Sequence, residues 1–192
     1  MFLGSDRNHA GSPSLGAWIN YGLGSENSNL PGHIPIHEDE VLPGRMENFS
    51  NGFLPAEHQA TPLRADGVPV DNLASMDKSV GTQHTKLDFL QRRDQALSEQ
   101  LGGQAKIGGA ILHYQLAEWM QDHLPRVLNF EKENPVVRQL YGLGSGDRQK
   151  ECYATHCLRA RRLIEASARF VEIVMPPCFS ENGLWDEHGE LK

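Results

Sequence analysis

An aspartate and a histidine, Asp186 and His188, stand two residues apart in "GLWDEHGELK", in a chain of 192 residues. In an extended segment, side chains two apart point the same way, so this pair can approach one cation. A carboxylate oxygen and an imidazole nitrogen each bind zinc at about 2.0–2.2 Å. Two ligands do not complete a site: a catalytic zinc takes three protein ligands and keeps one position open. Asp6 and His9 offer further donors after the apolar Met1 to Leu3, although nothing in the spacing makes them converge. His33 and His37 are four apart around Pro35. Off a helix that spacing defines no shared face, and it reads as coincidence.

Ser12 and Ser14 supply a second kind of chemistry. They open "SPSLGAWINY", a short predicted helix over residues 12–21, with Ser12 as N-cap and Pro13 at the first helical position. The free N–H groups and positive dipole end of a helix favour an anionic oxygen such as a phosphate or sulfate. A serine there either caps the helix or, with a metal to lower its pKa, acts as a nucleophile. Both roles remain open for both serines.

The elements that must position these groups follow from periodicity. Gly22 and Gly24 stop the first helix, and "HIPI" reads as a short strand that Pro35 confines to a sheet edge. Residues 38–82 form a long loop region rich in Pro, Gly, Asn and Asp, with few periodic apolar positions. Residues 83–128 hold a helical pair. Its first member runs over 83–101 with Leu87, Leu90, Ala96 and Leu97. Its second runs over 104–124 with Leu112, Leu116, Trp119, Met120 and His123 as one packed stripe, and Pro125 ends it. "NPVVRQLYGLG" is a short helix ending at glycine. A long helix over 147–166 follows, with Tyr153, Cys157, Ala160 and Ile164 inward, and then Phe170 to Met175 as a strand buried on both faces.

A helix leading directly into such a strand is half of an α/β unit, and in those sheets ligands gather beyond the carboxyl ends of the strands. "CFSENGLWDEH", with Asp186 and His188, follows that strand.

Composition sets the outer limits. With 39% apolar residues, 19 glycines and 11 prolines, the chain reads as one folded domain with long loops. The net charge of −7 argues against a nucleic-acid partner, since neutralising phosphates needs clustered Lys and Arg. The one dense basic group, Arg159, Arg161 and Arg162, reads as a solvated helix face. Cys152, Cys157 and Cys178 give no CxxC pair and no disulfide framework. No run reaches the ~18 apolar residues of a membrane span, and no signal peptide is visible.

Five segments in order carry a resemblance across the whole chain: "PSLGAWINYGLGSENSNLPG", "NGFLPAEHQATP", "LYGLG", "CLRARRLIEASARFVEI" and "WDEH". The string resembles the bacterial domain of unknown function 1501 family, which is grouped with the alkaline phosphatase and sulfatase superfamily. The resemblance implies a partial alkaline-phosphatase-like α/β sandwich with a helical insertion and an incomplete central sheet. It implies metal-dependent cleavage of sulfate or phosphate esters, with a divalent metal (zinc, calcium or similar) in the full-length form. Ser12, ten residues before Gly22, matches the sulfatase spacing from nucleophile to glycine, and Ser14 matches the family's Pro-Ser segment. Members extend upstream, through an early acidic ligand, and downstream, into a Gly-Glu-Phe-Gly-Arg segment and an Asp-His pair. By that comparison residues 1–192 read as the central part of one domain that lacks its flanking parts, inactive alone and cut from a parent exported to the periplasm. A non-catalytic binding or structural protein, or a truncated remnant, is the other reading.

Overall fold

The computed structural model describes residues 11–25, 30–37, 45–64, 69–70, 80–100, 105–130 and 133–174. Within them the chain is mixed α/β, with helices α1 (Leu15–Leu23), α2 (Val80–Gln100), α3 (Ala105–Leu128), α4 (Pro135–Tyr141) and α5 (Arg148–Glu165). The strands are β1 (His33–His37), β2 (Leu63–Arg64) and β3 (Phe170–Ile173). They form a parallel sheet in the order β2-β1-β3, with His33 opposite Phe170 and His37 opposite Arg64.

β1 is therefore the central described strand, contrary to the edge position expected from Pro35. The backbone explains how it tolerates proline. The carbonyls of Gly32 and Ile36 accept from the N–H groups of Phe170 and Val174, both at 2.8 Å, whereas the His33 carbonyl accepts from Thr61 N–H at 3.0 Å. Odd-numbered residues thus turn their backbone polar groups toward β2. The β2 ladder pairs only Ile36 and His37, so the N–H that Pro35 lacks falls just ahead of it. β3 is half-buried throughout and is not the doubly buried strand expected; Val174, just beyond it, is buried.

Side chains alternate across the sheet, which has helices on both faces. Ile34, Ile36 and Leu63 share a core with Met120 and Leu124 of α3 and Leu163 of α5. Burying each such aliphatic chain contributes about 1.5–3 kcal/mol before packing terms. On the other face, α1 packs against β1 and β3.

The helix faces differ from the periodic expectation. In α3, Met120 and Leu124 are buried, while Trp119 and His123 are exposed and His123 Nδ1 lies 3.0 Å from the Trp119 carbonyl. Pro125 sits inside α3, which runs on to Leu128. This close to the helix end, the missing N–H removes one ladder bond without dividing the element. In α5 the buried residues are Ala154, His156, Leu158 and Leu163, while Tyr153 and Ile164 are exposed. α2 lies against α3, where the Gln83 amide donates to Gln121 and His84 Nδ1 stands 2.6 Å from Glu118 Oε1. It leaves Leu90, Ala96 and Leu97 exposed, with Phe89 beside them, so most of its expected stripe faces outward.

The basic residues of α5 are clamps rather than a solvated face. Glu133 Oε2 lies 3.1 Å from Arg161 Nη2 and 3.5 Å from Arg162 Nη1, and Arg162 also donates to the Asn129 carbonyl at 2.6 Å. The Arg161 and Arg159 guanidinium groups cover the rings of Tyr141 and Phe130. Together these contacts tie the α3–α4 connection to α5. α4 itself is bounded by the Asn134 side chain, which accepts from Val136 N–H at 2.9 Å, and by left-handed Gly142 (φ 95°).

Candidate functional site at the carboxyl edge of the sheet

The path of α1 follows from three contacts. Gly16 lies against the His33 ring, Asn20 lies against Gly32, and the Gly24 carbonyl accepts from Arg169 Nε at 2.9 Å, one residue before β3. α1 therefore runs opposite to the strands, with its N-terminus toward their carboxyl ends. A loop fixes that end: Ser14 N–H donates to the Ser50 carbonyl at 2.9 Å, and the neighbouring Phe49 packs with Ala60 and Val174.

The N-cap is Ser14, not Ser12. Ser14 has extended geometry (φ −67°, ψ 162°), its Oγ accepts from Ala17 N–H at 3.2 Å, and it is 8% exposed. Pro13 consequently lies outside the helix. Ser12 is exposed, two residues ahead of the cap. The loop crosses tightly here: left-handed Gly52 (φ 53°) lies against the backbone of Gly11, Ser12 and Pro13, where a Cβ would clash. Asp186 and His188 lie outside the described residues, as do Asp6 and His9. What the structure brings together is the N-cap Ser14 and, through its bond to Ser50 and the adjoining Phe49, the point at which the chain leaves β3.

Two histidines dismissed on spacing prove to share a sheet face. His33 is fully buried, with its ring 5.5 Å from that of Phe170 and Nε2 3.6 Å from Glu172 Oε2. That separation is too long for a hydrogen bond, and among the described residues neither ring nitrogen has a hydrogen-bond partner. His37 lies on the same face by alternation, at the carboxyl end of β1 beside its register partner Arg64. The usable signal was period two: in a strand, positions 33 and 37 share a face, which the proline between them does not change.

The outer face of α1 is aromatic. Trp18 meets Tyr21 and Phe53 edge-on at 6.0 and 5.7 Å, and Tyr21 meets His58 at 5.2 Å. Among the described residues, no group of three or more His, Cys, Asp or Glu could hold a metal ion, and no helix is long and apolar enough to cross a membrane.

A parallel sheet with helices on both faces, one of them directed at the carboxyl edge, defines the class as mixed α/β. The family model described as "Protein of unknown function (DUF1501)" matches residues 1–192, and the chain belongs to that family. No curated protein and no solved structure matches it.

Proposed function

We infer that this chain belongs to a metal-dependent hydrolase of the alkaline phosphatase and sulfatase type, acting on sulfate or phosphate esters. The supporting observation is the direction of α1, whose N-terminus points toward the carboxyl ends of β1 and β3. An anionic ester group at that end meets a positive helix dipole. Asp186 and His188, which follow β3 in sequence, hold the divalent ion there; their carboxylate and imidazole donors suit zinc, while calcium would take only the carboxylate. Of the two serines, Ser12 carries the exposed hydroxyl suited to nucleophilic attack, since the Ser14 oxygen is buried and occupied as a cap.

Two ligands are too few for catalysis, so further donors must complete the site. Elemental analysis after dialysis against zinc or calcium tests the metal assignment. A divalent ion retained by the chain and lost in His188→Ala supports it, and an ion held equally by both overturns it. Metal-dependent turnover of an aryl sulfate or phosphate by the purified chain, lost in Asp186→Ala, would show that the ligand set is complete within these 192 residues.

The bonded, buried state of Ser14 favours a second reading, a non-catalytic binding protein in which the serines serve only structure. Absence of any bound ion at saturating zinc and calcium, with the fold intact, supports that reading instead.

A further inference from the structure

α5 carries a thiol and an imidazole that the proposed hydrolase does not use. Cys152 Sγ lies 3.6 Å from His156 Nε2, one helical turn along, where side chains four apart stack on one face. His156 is 1% exposed and its ring is held in the packed interior, while Cys152 is half-buried. Cys157 provides an internal comparison: it is also half-buried and on the same helix, but its neighbour is the Tyr153 phenol instead of an imidazole.

We propose that Cys152 is a peroxide-reactive thiol activated by His156. The physical basis is proton transfer. An imidazole within hydrogen-bond reach takes the thiol proton, and the thiolate is the nucleophile. The thiolate sulfur attacks one oxygen of hydrogen peroxide. The S–O bond forms as the O–O bond breaks, and the hydroxide that leaves takes the proton from the imidazolium and departs as water. Sulfur is oxidised by two electrons to a sulfenic acid, and the peroxide is reduced. Cys157 cannot resolve this product within the helix. Five residues along, its Cα is displaced by about 7.5 Å of helical rise, beyond the ~7 Å span over which a disulfide closes. The sulfenic acid is therefore reduced by a thiol from outside this helix.

The test uses the whole folded chain at pH 7, with alkylation by iodoacetamide read at each cysteine by peptide mass spectrometry. Cys152 reacts about tenfold or more faster than Cys157, because an imidazole that takes the thiol proton raises the share of nucleophilic thiolate. After brief exposure to hydrogen peroxide, a 1,3-diketone trap marks Cys152 ahead of Cys157. In His156→Gln, checked for retained helix by circular dichroism, the advantage falls to about twofold or less. Equal rates at Cys152 and Cys157 in the unmodified chain overturn the proposal, whether or not the variant folds. So does an undiminished Cys152 rate in a folded His156→Gln.

Discussion

Gly16, in the first turn of α1, lies so close to the His33 ring that an added Cβ would stand well within 3.0 Å of three ring atoms. The contact sets how near α1 sits to the sheet, and hence where its N-terminus points. Gly16→Ala forces the ring or the helix to move, and we expect a loss of about 1–3 kcal/mol in urea unfolding, the usual cost of overpacking. His33→Ala removes the obstacle, so the double variant recovers part of that loss. Strict additivity of the two single effects would show that the contact does not set the helix position.

Gly52 holds the other side of the same helix entrance. Its φ of 53° favours glycine, and its missing side chain lets the loop lie on the backbone of residues 11–13. Gly52→Ala therefore carries both a conformational and a steric penalty, about 1–3 kcal/mol. It should also speed proteolysis between Ser50 and Leu54 relative to the unmodified chain, which limited digestion measures.

The two serines separate cleanly by stability. Ser14→Ala removes the acceptor for Ala17 N–H and should cost about 1 kcal/mol. Ser12→Ala, at an exposed position ahead of the cap, should change stability by less than about 0.5 kcal/mol. Equal effects in chemical denaturation would mean that α1 begins two residues earlier in solution.

Most elements of this fold are legible in the sequence, and their faces much less so. Seven-residue α4 announces itself through Asn134, Pro135 and Gly142, because capping chemistry is local. The mixed α/β character follows from a helix leading directly into β3, whereas the parallel pairing is seen only in the structure. The inward face of α5 is misread because Tyr153 and Ile164 are apolar yet exposed, while buried His156 is polar; periodicity records hydrophobicity, not contact. The arginines of α5 look like a solvated face because their partner, Glu133, lies 28 residues from Arg161 and no local pattern reveals the pair. Ser12 is taken for the cap because Pro13 suits a first helical turn, whereas the deciding bond comes from Ser50, far along the chain. Ser14 N–H, tied to that carbonyl, fixes the start of α1 from outside the helix.

Glu133 joins two arginines of α5 to the connection after α3, and it is itself largely buried, with 12% of its side chain exposed. Exposed ion pairs contribute little, but removing the carboxylate here leaves Arg161 and Arg162 half-buried without it. Glu133→Gln keeps the size and one acceptor oxygen, so it should cost less than Glu133→Ala, for which we expect about 1–3 kcal/mol. Thermal unfolding of the two variants checks the order. Indistinguishable midpoints would assign the clamp to the Arg162 bond with Asn129 and to ring packing alone.

Tyr153 offers a pH-dependent readout of the same helix. The adjacent Cys157 sulfur, chiefly through charge and then through its hydrogen bond, raises the phenol above its ordinary value of about 10, with burial adding in the same direction. A raised folded value means that the folded state holds its proton more tightly. The resulting stability is fully present below about pH 10 and is lost as pH climbs through the folded titration. Phenolate absorbance near 295 nm should show one tyrosine titrating late in the folded chain, and Cys157→Ala should bring it back toward the others. Because Tyr153 is 40% exposed, solvent screening keeps the accompanying change in stability small. A late titration that persists in Cys157→Ala would place its cause in burial instead, with the thiol a bystander.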